Sequence, residues 1–125
     1  MLLVTNTGAL SARFGDKKAI EMFAAAGFDA LDCSLTNEKS LLLNDGFREY
    51  AAKLRKFAED NGIFFVQAHA PMPYANEFSE FFSKRKYQTI TAMESASILG
   101  ATVIIVHPLQ WGRIKTLNQM FMILT

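Results

Sequence analysis

Gly62-Ile63-Phe64-Phe65-Val66-Gln67-Ala68-His69-Ala70-Pro71 decides how this chain folds. The glycine closes a helical pattern running from about Phe47 to Asn61, whose apolar residues Tyr50, Leu54, Phe57 and Ala58 recur at three- and four-residue spacing. That spacing marks one buried stripe. A residue just past a helix end favours the left-handed conformation, which glycine adopts without a Cβ clash. The run that follows is short, β-branched and aromatic, and almost continuously apolar, as expected of a parallel strand with both faces covered.

The same grammar occurs twice more. A helical pattern over Asp16–Ala26 is followed by Gly27 and the run Phe28–Cys33. Another from about Phe81 to Leu99 is followed by Gly100 and the run Ala101–His107. The glycines at 27, 62 and 100 recur after 35 and then 38 residues, enough for one strand and one helix, since a βαβ unit takes roughly 30 residues or more. Leu2–Asn6 supplies a first strand, and Asp16 and Asn44 or Asp45 are the expected helix N-caps. The chain reads β-α-β-α-β-α-β, an α/β fold whose right-handed crossovers make all four strands parallel.

Composition narrows the class. The 125 residues are 50% hydrophobic and 20% charged, with 13 Lys+Arg against 12 Asp+Glu. Such a chain buries a core rather than staying disordered. A net charge of +1 lays down no electrostatic footprint for a nucleic-acid backbone or an anionic membrane. No apolar run approaches the roughly 20 residues that span a bilayer, and Met1–Val4 is too short for a signal-peptide core. The single Cys33 excludes an internal disulfide framework, so a reducing, cytoplasmic setting is expected. The stretch Leu117–Thr125 starts an apolar helix and stops on consecutive large apolar residues. The expectation is therefore one partial domain over residues 1–125, cut after its fourth strand.

Both histidines stand seven residues after a glycine: His69 after Gly62 and His107 after Gly100, with Ser34 at the matching offset from Gly27. Units built alike would put these three at equivalent strand ends, on the carboxyl edge where parallel sheets place their chemistry. Asp32 and Gln67, two residues earlier, share that face because strand side chains alternate. As polar groups within apolar strands they either line a polar pocket or bond each other. Asn6 joins this set or serves the turn after the first strand. Trp111, Tyr74 and Asn76 sit in the loops after the histidine strands and contact a substrate or cover the sheet. Cys33 has the opposite parity to Asp32 and reads as packing, and Lys84-Arg85-Lys86 as a solvated helix face.

Gly27-Phe28-Asp29-Ala30-Leu31-Asp32, Gln67-Ala68-His69-Ala70-Pro71 and Val103-Ile104-Ile105-Val106-His107-Pro108, taken in order, resemble the N-terminal half of a xylose isomerase-like TIM barrel. That superfamily holds sugar phosphate isomerases and epimerases and the endonuclease IV-like enzymes. The resemblance spans roughly residues 1 to 110, about half of the 250 or so residues a (β/α)₈ barrel takes. It implies a divalent metal (Mn, Mg, Co or Zn) at the carboxyl face of the full-length barrel, and none complete in this half.

Three functions follow. The first is the N-terminal part of a metal-dependent sugar or sugar-phosphate isomerase or epimerase, moving a proton next to a carbonyl. His69 and His107 would act on the substrate, with Asp32, Gln67, Asn6 and Trp111 binding it. The second is an endonuclease IV-like zinc phosphodiesterase on abasic DNA, with His69 and His107 as metal ligands and Asp32 the candidate third. The third is a non-catalytic open α/β binding domain of flavodoxin-like build. The expected partner is a small sugar or sugar phosphate, not a membrane or nucleic acid. A half-barrel with two open edges and a bare inner face is expected to associate with itself or to fold poorly.

Overall fold

The computed structural model describes residues 1–72 and 80–107, and of residues 80–82 the backbone alone. The elements run β1 (Val4–Asn6), α1 (Gly8–Phe14), α2 (Asp16–Ala25), β2 (Ala30–Ser34), a 3-10 turn (Leu41–Leu43), α3 (Phe47–Asp60), β3 (Phe64–His69), α4 (Glu80–Leu99) and β4 (Val103–Ile105). The four strands form one parallel sheet in the order β1-β2-β3-β4.

The three glycine punctuations are the same device repeated. Gly27, Gly62 and Gly100 all have positive φ. In each case the glycine N–H bonds back three residues, to Ala24, Glu59 and Ser97 respectively, and the next residue bonds back five, to Phe23, Ala58 and Ala96. This is the Schellman closure, which satisfies two otherwise orphaned helix carbonyls and turns the chain into the next strand. The N-terminal expectations need correction. Asp16 is the first helical residue after Gly15, and Gly46, at φ 83°, occupies the position before α3. Asp16 instead accepts a 2.8 Å hydrogen bond from Tyr50 Oη, and Asn44 Nδ2 folds back onto the carbonyls of Ser40 and Glu38. A long-range partner takes the Asp16 carboxylate and the preceding turn takes the Asn44 amide, so neither side chain caps a helix.

Sequential strand order with same-handed crossovers puts every helix on one side of the sheet. The core lies there. Leu31, Cys33 and Leu35 from β2 and its exit, with Ile63, Phe65, Ala68 and Ala70 around β3, meet Ala51, Leu54 and Ala58 of α3 and Ala92, Ala96 and Leu99 of α4. Facing alanines let α3 and α4 approach closely over the strands. The opposite face is bare: Phe64 is 43% and Val103 53% exposed. The strands are thus covered on one face among the described residues, not on both as their apolar runs suggested. The order also lacks the reversal that defines a doubly wound sheet, which removes the flavodoxin-like layout and leaves the half-barrel.

Candidate functional site

Register decides what the carboxyl edge holds. Asn6 pairs with Asp32, Asp32 with Gln67, and Gln67 with Val103. One step on, Ser34 pairs with His69 and His69 with Ile105. His107 therefore lies two residues beyond the position equivalent to His69, so the expected three-way equivalence with Ser34 holds only for Ser34 and His69. An irregularity opposite Leu31/Asp32 inserts Val66 into β3. That extra residue puts both Phe65 and Ala68 toward the helices and swings Gln67 and His69 to the open face. The two-residue stagger at β4 is the offset barrels build up as they curve. Being even, it keeps His107 on the same face. The two imidazoles stack, with centroids 6.0 Å apart and planes 24° apart.

Beneath the rings runs a polar chain whose direction is fixed from one end. The Gly8 N–H donates to Asn6 Oδ1 at 2.8 Å, so the Asn6 amide group must turn toward Asp32, where Nδ2 donates to Oδ2 at 3.1 Å. The Asp32 carboxylate accepts, and His69 Nδ1 stands 2.9 Å from it. An ionised carboxylate has no proton to give, so Nδ1 carries the hydrogen and Nε2 is left facing outward. Asp32 is 7% exposed, and a buried carboxylate holds its place only when its oxygens are satisfied. The Asp32 carbonyl also accepts from Thr7 N at 3.0 Å, and Thr7 Oγ1 accepts from Ser34 N at 3.0 Å, which ties the ends of β1 and β2 together.

Asn6 thus serves the turn and the cluster at once, one function per amide atom. Asp32 bonds Asn6 and His69; Gln67 lies beside it in register, half-buried. Gly8 and Thr7 escaped the sequence reading, although a Thr-Gly step directly after Asn6 marks a tight exit from β1. A Cβ on Gly8 would stand 3.0 Å from both Asn6 Oδ1 and Ser34 Oγ. Beside this wall opens a hydroxyl-rich groove of about 400 Å³, lined by Ser11, Asp16, Ser34, Thr36, Ser40 and Tyr50 among others. Cys33 points into the core; burial, reinforced by the Asp16 and Asp32 carboxylates, pushes its thiol up out of the reactive range. Burial and the bond to Asp16 likewise push the Tyr50 phenol up. Of Lys84-Arg85-Lys86, read as a solvated face, Lys84 and Lys86 are exposed, whereas the Arg85 side chain is only 11% exposed, with Nη2 3.9 Å from Glu38 and Nη1 donating to Gln88 at 3.3 Å. Trp111, Tyr74, Asn76 and the 117–125 stretch lie outside the described residues.

Among the described residues no three His, Cys, Asp or Glu side chains form a group that could hold a metal ion. Asp32 is committed to His69, which leaves two imidazoles, short of the three protein ligands of a catalytic zinc or the two-His-one-carboxylate set. The described residues do not by themselves fit a metal centre.

No family model matches the chain, and no curated protein matches it in sequence. Among solved structures it is similar to D-psicose 3-epimerase crystallised in the presence of D-fructose, with a TM-score of 0.63 at 19% identity. The match covers 98% of this chain and 44% of that enzyme, so this chain spans less than half the length of the relative. The likeness is one of fold alone: the four parallel strands and their alternating helices correspond to an α/β half-barrel. No helix among the described residues is long and apolar enough to cross a membrane.

Proposed function

We propose that this chain forms the N-terminal half of a sugar isomerase or epimerase, acting on a ketose or its phosphate by proton transfer next to the carbonyl. The observation that carries the reading is the Asn6–Asp32–His69 chain at the carboxyl edge of the sheet, with His107 stacked on its terminal ring. Asp32 holds His69 with Nδ1 protonated, and Nε2 is presented to the rim to accept a substrate hydroxyl or a moving proton. A positioned acid or base of this kind contributes about 10²- to 10⁴-fold in rate. His107 lies on the same rim with its ring 6.0 Å from that of His69, and the groove beside Ser34 offers hydroxyl partners of the kind sugars require. Metal dependence would rest on donors beyond the described residues, so no step is routed through a metal.

The test is a titration of the ¹⁵N-histidine-labelled chain with D-fructose, D-psicose and fructose 6-phosphate, with an abasic-site oligonucleotide as the competing ligand. The His69 and His107 ring signals should move together with a ketohexose or its phosphate, and lose that response in His69→Ala. Rings that respond to the oligonucleotide but to no sugar would reject the proposal.

A further inference from the structure

The groove beside Ser34 has a wall of neutral hydrogen-bonding groups: the hydroxyls of Ser34, Thr36 and Ser40 and the amide of Asn37. The exposed Leu41 adds an apolar contact of the kind a sugar's C–H face takes. Among the described lining residues the one charged side chain is Asp16. Tyr50 Oη donates to its Oδ2 at 2.8 Å, which holds the carboxylate in place. That bond uses one of roughly four acceptor sites on the group and leaves the others for ligand hydroxyls. The cations near it in sequence are turned elsewhere. Arg13 lies over the Phe14 ring, Lys17 lies over the Phe57 ring and Lys18 pairs with Glu21, while Lys39 does not line the groove. We infer that Asp16 is a specificity-determining residue: the groove takes the end of the ketose remote from its carbonyl as a free hydroxyl, and the Asp16 carboxylate excludes a phosphate there. This inference rests on the proposed reading of the histidine rim and narrows its substrate to the unphosphorylated sugar.

Ser34 joins the groove to the rim. It lines the groove and pairs in register with His69, on the neighbouring strand about 4.8 Å away. A carbon chain whose carbonyl lies at His69 Nε2 therefore reaches the groove past Ser34. There Ser34 Oγ and Thr36 Oγ1 stand 3.0 Å apart and share one hydrogen, so the pair both donates to and accepts from a sugar hydroxyl. A phosphate monoester asks for something else. It carries a charge of about −1.5 to −2 near neutral pH and is held by Arg, Lys or the open N–H groups of a helix N-terminus. The N-terminus of α2 borders the groove, but Asp16 stands in its first turn and already supplies the negative charge which that end of the helix dipole favours. A phosphate would meet a like charge where an anion would otherwise be welcome.

Titration of the ¹⁵N-labelled 125-residue chain with D-fructose and with fructose 6-phosphate tests this, at low ionic strength where exposed charges are least screened. The backbone amides of Ser34, Thr36 and Asn37 should move together with the His69 and His107 rings on adding D-fructose. Fructose 6-phosphate should bind at least about tenfold more weakly. Asp16→Asn keeps an acceptor for Tyr50 and removes the charge, so it should bring the two affinities close together; a merely structural role would weaken both alike. Thr36→Lys, at an exposed position, adds a cation to the wall and should turn the preference toward the phosphate. Equal or tighter binding of fructose 6-phosphate by the parent, a ratio unmoved in both variants, or groove amides that stay still while the rings respond would overturn the inference and leave the proposed function standing. Rings and groove silent to both sugars would sink the proposed function, and this inference with it.

Discussion

Removing the Asp32 carboxylate tests the polar chain, because the structure assigns a different cost to two replacements. In Asp32→Ala both Asn6 Nδ2 and His69 Nδ1 lose their acceptor. Each stranded donor in a partly buried place costs about 1–3 kcal/mol, so a loss of roughly 3 kcal/mol is expected, a large share of the 5–15 kcal/mol typical of a domain. Asp32→Asn keeps the shape, and its Oδ1 still accepts from His69. Its amide hydrogens then face those of Asn6, which cannot flip without abandoning the Gly8 N–H. One bond is lost rather than two, about half the cost of alanine. Urea unfolding followed by circular dichroism gives both values, and nitrogen-15 spectra give the His69 tautomer. The Nδ1–H form should persist in Asp32→Asn and give way to a mixture in Asp32→Ala. Equal costs for the two variants, or a parent with its proton on Nε2, would refute the directional chain.

Two further predictions follow from neighbouring contacts. Gly8→Ala should destabilise the chain by about 1 kcal/mol in the same unfolding assay, since overpacking costs roughly 1–3 kcal/mol against about 1 kcal/mol gained from alanine's helix preference. A net gain would mean that Asn6 and Ser34 yield freely. Stability should also fall as pH rises above about 9, because Cys33 and Tyr50 hold their protons in the folded state beyond the pKa values near 9.0 and 10.0 at which the unfolded chain releases them. Fewer protons bound when unfolded gives a negative slope, up to about 1.4 kcal/mol per pH unit for each fully retained proton. Cys33→Ala should flatten the portion beginning near pH 9, and an unchanged alkaline limb would contradict the burial of the thiol.

The helices, the glycine stops and the parallel strands were legible in the sequence because each depends on neighbours a few residues away. A 3.6-residue apolar stripe, a glycine at a helix end and a β-branched run act locally, whatever the rest of the chain does. The short helix α1 left no such stripe and none of its residues is buried, which is why Gly8–Phe14 passed unread. Counting from the glycines placed Ser34, Asp32, Gln67 and His69 on one face correctly.

Register belonged to the tertiary structure alone. Pairing between strands joins residues far apart in the chain, from Asn6 with Asp32 to Gln67 with Val103, so neither the extra Val66 nor the two-residue stagger that carries His107 past His69 follows from spacing along one strand. The same holds for Asn6, whose two amide atoms are divided between Gly8 and Asp32 only once β1 lies beside β2. Local sequence chose the elements, and the sheet's curvature chose which side chains meet.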